Sequence, residues 1–192
     1  DVVLVLDCSK SMRKTDPDHL RMEAVSSFLQ LARENRGIRR IGLISFSDKA
    51  QILQGLTPAS KLDDVMAVLK QLEPDGATDM DAALSLATKM LEDREGGAMA
   101  PDAAVVFLSD GKPGLFRKYG DAHLGLKELG VPVYAIGLSD KVDAELLQRV
   151  SAESDGQFFM ADTAEELLNL FTGVFSIISR PFLLSLLLKM TK

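Results

Sequence analysis

Asp1–Met12 reads DVVLVLDCSKSM. Val2–Leu6 is apolar without a break, so the strand it predicts has both faces against apolar layers, as strands of a covered parallel sheet do. The run then stops at Asp7, Ser9 and Ser11, three oxygen-bearing side chains at every second position. Unpaired polar groups do not stay in a dry core. The pattern therefore predicts a buried strand whose end opens onto a polar site.

The rest of the chain extends that reading. IGLISF at 41–46, AAVVFLS at 103–109 and VPVYAIGL at 131–138 are further near-continuous apolar runs. AQILQ at 50–54 follows IGLISF after only Ser47–Lys49, a link that suits an antiparallel hairpin at a sheet edge. QFFM at 157–160 reads as a last strand. Between these lie apolar stripes of helical spacing over 18–34, 59–72 and 80–91, weaker ones over 121–129 and 143–151, and a strong one over 164–178. The methionines in these stripes read as core. EDREGGAMAP at 92–101 reads as a loop. Alternation of strand and helix predicts an α/β fold. It is a three-layer, Rossmann-like doubly wound sheet, mostly parallel with one short antiparallel edge strand and helices on both faces.

A chain of 192 residues with 46% apolar and 26% charged residues suits one globular domain. The net charge of −6 argues against a nucleic-acid partner. The densest basic stretch, RENRGIRR at 33–40, reads as a helix C-terminus and loop, where cations suit the helix dipole. Cys8 is the only cysteine, so no intrachain disulfide forms. A lone thiol leans toward an intracellular, reducing compartment, with a cell-envelope location as the alternative. The start at Asp1, directly into a strand, is expected of a piece cut from a longer chain.

In doubly wound sheets, ligands bind beyond the carboxyl ends of the strands. Asp7 ends the first strand, Asp110 ends AAVVFLSD before Gly111, and GATD at 76–79 precedes the third helix. Together Asp7, Ser9, Ser11, Thr78 and Asp110 offer two carboxylates and three hydroxyls, with no His or useful thiol. That is a donor set for a hard dication: Mg2+ first, with Mn2+ and Ca2+ as alternatives. Two carboxylates balance the ion, and neutral hydroxyls leave it electrophilic enough to take one more carboxylate from outside. Lys10 reads as a solvated cation or a lure for an anionic partner. Asp79 and Asp81 read either as helix N-terminal acids or as groups that orient ligands or water. Cys8 reads as a small buried residue.

DCSKS at 7–11, GATD at 76–79 and LSDGKP at 108–113 resemble the three parts of the metal-ion-dependent adhesion site (MIDAS) of von Willebrand factor type A domains. The resemblance covers residues 1–179. It leaves 180–192 as an apolar C-terminal extension, with Arg180 and Pro181 dividing FTGVFSIISRPFLLSLLLKMTK into two pieces, each too short to cross a bilayer as a helix of ~20 residues. Membrane association through that tail is the less favoured reading. The resemblance implies that Asp7, Ser9, Ser11, Thr78 and Asp110 bind the ion, some through water. It also implies that an acidic residue of a partner protein completes the coordination. The alternatives are a structural module with a stabilising metal and, less favoured, a Mg2+-dependent phosphoryl-transfer enzyme. Phosphatases of the haloacid dehalogenase type carry a second acid where this chain has Ser9. The patterns G-x-x-x-x-G-K-[ST], G-x-G-x-x-G and G-x-S-x-G are all absent, and His19 and His123 have no recognisable Ser or Cys partner. The expectation is a binding module, not an enzyme.

Overall fold

A computed structural model describes residues 1–34, 37–62, 65–69, 72–93, 103–111 and 120–190. The elements run β1 (Val2–Asp7), α1 (Met12–Thr15), α2 (Leu20–Glu34), β2 (Arg40–Phe46), β3 (Ala50–Pro58), α3 (Val65–Leu69), α4 (Met80–Glu92), β4 (Ala104–Ser109), α5 (His123–Glu128), β5 (Val133–Leu138), α6 (Ala144–Glu153), β6 (Gln157–Ala161) and α7 (Leu167–Met190). The six strands form one sheet in the order β3-β2-β1-β4-β5-β6. All neighbours pair parallel except β2 and β3, which form the antiparallel edge. This is the expected α/β doubly wound architecture.

The two-residue period of a strand sorts its side chains into two cores. Leu4, Leu6, Val106, Leu108, Ile136 and Leu138 face one layer, with α2 and α7 above them. There Phe28 of α2 meets Phe171 and Phe175 of α7 edge to face, with ring centroids 6.3 and 5.3 Å apart. Val3, Val5, Val105, Phe107, Val133 and Ala135 face the other layer, against α4 and α6. In that layer Phe46 stacks on Phe107 at 5.1 Å. Every residue of β1 and β4 is buried, which accounts for their unbroken apolar runs.

Three elements depart from the sequence expectation. Among the described residues of the 59–72 stripe, Ala59–Lys61 is a single 3-10 turn and α3 is Val65–Leu69. Leu62, Val65 and Leu69 are buried as the stripe required, so burial was legible and helix length was not. The short helix α1 was not foreseen, because Met12–Thr15 holds one apolar residue and shows no period. Pro181 does not divide the last helix, whose backbone runs on to Met190. No helix of the described residues is long and apolar enough to cross a membrane. The 92–101 loop lies outside the described residues from 94 onward.

From β1 the chain moves outward through α2 to β2 on one side, and β4 pairs on the other side of β1. The carboxyl ends of β1 and β4 therefore flank the switch point, where the connections part to opposite faces.

Candidate metal centre

At the end of β1 the chain turns on its own side chain. Asp7 is fully buried, and its Oδ1 accepts from the Ser9 backbone N–H at 2.7 Å. The N–H groups of Met12 and Lys14 then donate to the carbonyls of Ser9 and Ser11 at 3.1 and 2.8 Å, winding the segment into α1. This brings Ser9 Oγ and Ser11 Oγ to 3.0 Å. β4 ends alongside. Ser109 Oγ donates to Asp7 Oδ2 at 2.6 Å, and Asp110, 1% exposed, lies one residue on. Ser11 Oγ donates to Asp110 Oδ1 at 2.7 Å across 99 residues of sequence, and Thr15 Oγ1 donates to Asp110 Oδ2.

The third segment is docked through its backbone. The Asp75 N–H donates to the Cys8 carbonyl at 2.9 Å, Lys10 N–H to Gly76 at 3.1 Å, and Asp79 N–H to Ser47 at 2.7 Å. Gly76 is required here: its φ is +78°, and a Cβ would lie 2.7 Å from Asp48 Oδ1. Thr78 is buried, and its hydroxyl packs so closely on Gly111 that a Cβ there would come within 2.8 Å of it. Ser11, Thr78, Asp110 and Gly111 share one open cavity of about 280 Å³ with Thr15, Lys14 and Lys141. Asp7 and Ser9 do not line it: Ser9 is bonded to Ser11, which does, and Asp7 to Ser109, the residue before Asp110.

Burial pushes the Asp7 carboxyl up to about 6, and the Asp110 charge adds to the rise. Hydrogen bonds from Ser109 and Ser9 pull the other way. Asp7 thus has neutral donors and a like charge nearby, a setting in which a bound dication would favour the ionised form. The oxygen spacing also fits. Neighbouring ligands of an octahedral Mg2+ with bonds of ~2.1 Å stand about 3.0 Å apart, and a Ca2+ shell is wider. Ser9–Ser11 and Ser11–Asp110 are at 3.0 and 2.7 Å. Among the described residues no three of His, Cys, Asp and Glu converge, so a metal here would rest on two carboxylates and hydroxyls.

Other residues singled out from sequence have separate roles. Asp79 caps α4, accepting from the Ala82 N–H at 3.1 Å. Asp81 accepts from the Gly120 N–H at 2.6 Å. Burial pushes the Cys8 thiol up to about 11 against the pull of Arg21, which keeps it protonated. Lys10 is not among the residues that line the cavity. His123 is buried against Glu153 at 2.6 Å, on α5 and α6. Four residues at the site were missed: Ser109, Thr15, Lys14 and Lys141. Thr15 stands four residues after Ser11, one helical turn, but that signal needs α1 to be known. Nothing in the local sequence points to Lys141.

The profile of the von Willebrand factor type A domain matches residues 2–112, more than half of the chain. The chain belongs to the von Willebrand factor type A family. Domains of this family generally mediate protein–protein interactions. The von Willebrand factor type A domain described here is 26% identical over 198 residues to a UPF0353 protein of Mycolicibacterium gilvum (strain PYR-GCK), covering 90% of this chain and 58% of that protein. It therefore spans under two thirds of that relative's length. Among solved structures it is similar to a von Willebrand factor type A protein from Catenulispora acidiphila, with TM-score 0.75 and 16% identity over 93% of this chain and 42% of that one. It is also similar to proximal thread matrix protein 1 from the mussel byssus, solved with a zinc-occupied MIDAS motif. That match has TM-score 0.70 and 19% identity over 91% of this chain and 46% of that one. At such identities these structures establish a common fold.

Proposed function

We propose that this von Willebrand factor type A domain is a metal-dependent protein-binding module of adhesive or scaffolding type. In this reading Asp7, Ser9, Ser11, Thr78 and Asp110 hold Mg2+, with Mn2+ or Ca2+ as substitutes, and residues 1–179 are the working unit. When bound, the ion supplies an electrophilic position for an acidic residue of a partner protein. The protein's own part is to hold the oxygens in place. Ser9 N–H and Ser109 Oγ orient the Asp7 carboxylate, and Ser11 and Thr15 orient that of Asp110. The observation that carries the reading is the Ser9–Ser11–Asp110 chain of oxygens at 2.7–3.0 Å, drawn from segments far apart in sequence and bordering an open cavity.

Calorimetric titration with Mg2+ tests the ion. The wild type is expected to take up one equivalent, and Asp7→Ala and Asp110→Ala to lose at least about tenfold in affinity while keeping the wild-type circular dichroism. Absence of divalent uptake at millimolar Mg2+ and Mn2+ would overturn the reading.

A further inference from the structure

Two cations stand on the wall of the cavity. Lys14 comes from the last turn of α1, and Lys141 from the link between β5 and α6. Both are exposed. Both are held by structure rather than left on loose arms. Lys14 follows Ser11 by one hydrogen-bonded turn and precedes Thr15, whose hydroxyl is tied to Asp110. Lys141 sits in a turn where Ser139, at φ +74°, donates its N–H to the Ala161 carbonyl at 2.9 Å and accepts from the Val142 N–H. The next residues are tied to the site, since the Asp143 N–H donates to the Gly111 carbonyl at 3.5 Å.

Neither lysine forms an ion pair among the described residues, whereas nearby Arg13 bonds the Pro74 carbonyl at 2.7 Å and approaches Asp75. The same two lysines also line a second hollow of about 330 Å³, together with Asp18, Asp140, Asp162 and Glu165. Within the site's own cavity the charged lining residues are these two lysines and Asp110. With a dication balancing Asp7 and Asp110, the two ammonium groups give the mouth a surplus of positive charge in a chain of net charge −6. One incoming carboxylate completes the ion's shell and leaves the lysines unanswered.

We propose that Lys14 and Lys141 form a basic rim that selects protein partners carrying a second acidic side chain beside the metal-bound one. This rests on the metal-dependent reading above.

The test uses two blocked peptides, Gly-Ser-Glu-Ser-Gly and Gly-Glu-Glu-Glu-Gly, titrated by NMR into the full chain at low ionic strength with saturating Mg2+. The wild type is expected to bind the glutamate-flanked peptide roughly three- to tenfold more tightly, a preference that fades in high salt. Lys14→Gln/Lys141→Gln is expected to cut the preference below about twofold while keeping Mg2+-dependent binding of the single-acid peptide. Equal wild-type affinities, both abolished by EDTA, would overturn the rim and leave the metal reading standing. A preference that survives in the double variant would also overturn the rim. No Mg2+-dependent binding of either peptide would overturn both.

Discussion

Asp7 and Asp16 are both fully buried and lie nine residues apart, yet they are answered in opposite ways. Asp16 has a cation from its own chain: Arg21 Nη1 stands 2.5 Å from its Oδ2, with both side chains wholly out of solvent. The Leu20 N–H adds a bond to Asp16 Oδ1 at 2.6 Å, so the same carboxylate opens α2. Asp7 has only neutral donors, and Asp110 brings a like charge. One carboxylate is paired within the chain, although Arg21 Nε and Nη2 stay buried without a hydrogen-bond partner among the described residues. The other has no cation from its own chain among these partners, and in the proposed reading a metal ion supplies the compensating charge.

The comparison can be broken most severely at Arg21. Arg21→Met strands Asp16 in the core and is expected to cost about 3–5 kcal/mol in urea unfolding, with no rescue by Mg2+ beyond the wild-type increment.

The next effect sharpens the Asp7 side. In EDTA its folded-state pKa of about 6 lies above the ordinary 3.8, so the fold favours the protonated form. Its contribution is complete below pH 3.8 and is lost as pH rises through 6, a fall of ~3 kcal/mol. Denaturant midpoints from pH 4 to 7.5 measure the fall. Asp7→Asn is expected to flatten it, and saturating Mg2+ to oppose it, because metal favours the ionised carboxylate.

Mass action gives the third effect. Mg2+ at a hundredfold excess over the wild-type Kd is expected to add about 2.7 kcal/mol to the wild type and no more than about 1.4 kcal/mol to Asp110→Ala, read from paired thermal melts. The smallest effect belongs to Ser109. Ser109→Ala removes the bond to Asp7 Oδ2, at an expected cost of about 1.5 kcal/mol at pH 7. It also moves the onset of Mg2+ uptake to higher pH, since Asp7 loses a group that steadies its charge.

Much of this could be read along the chain. Unbroken apolar runs announced β1 and β4 because both faces of those strands are covered, and the strand-end positions of Asp7 and Asp110 announced where polar groups gather. The antiparallel edge followed from a link too short for a crossover, although β3 runs on to Pro58 instead of ending at 54. The single helix expected over 59–72 failed because an apolar stripe reports which residues are buried, not whether the backbone between them stays helical. Thr15 and Ser109 escaped notice because a hydroxyl at the end of a helix or strand usually serves a turn or cap. Only its partner shows otherwise.

What the sequence alone determined is the layered α/β fold and the burial of its central strands, because side-chain period and strand length are local properties. What the tertiary structure decided is which charges meet. Arg21 closes on Asp16, while Asp110 and not a cation comes to Asp7, and Lys141 arrives beside Lys14 from a remote loop. Electrostatic energy depends on distance through space, and only the packed chain sets that distance.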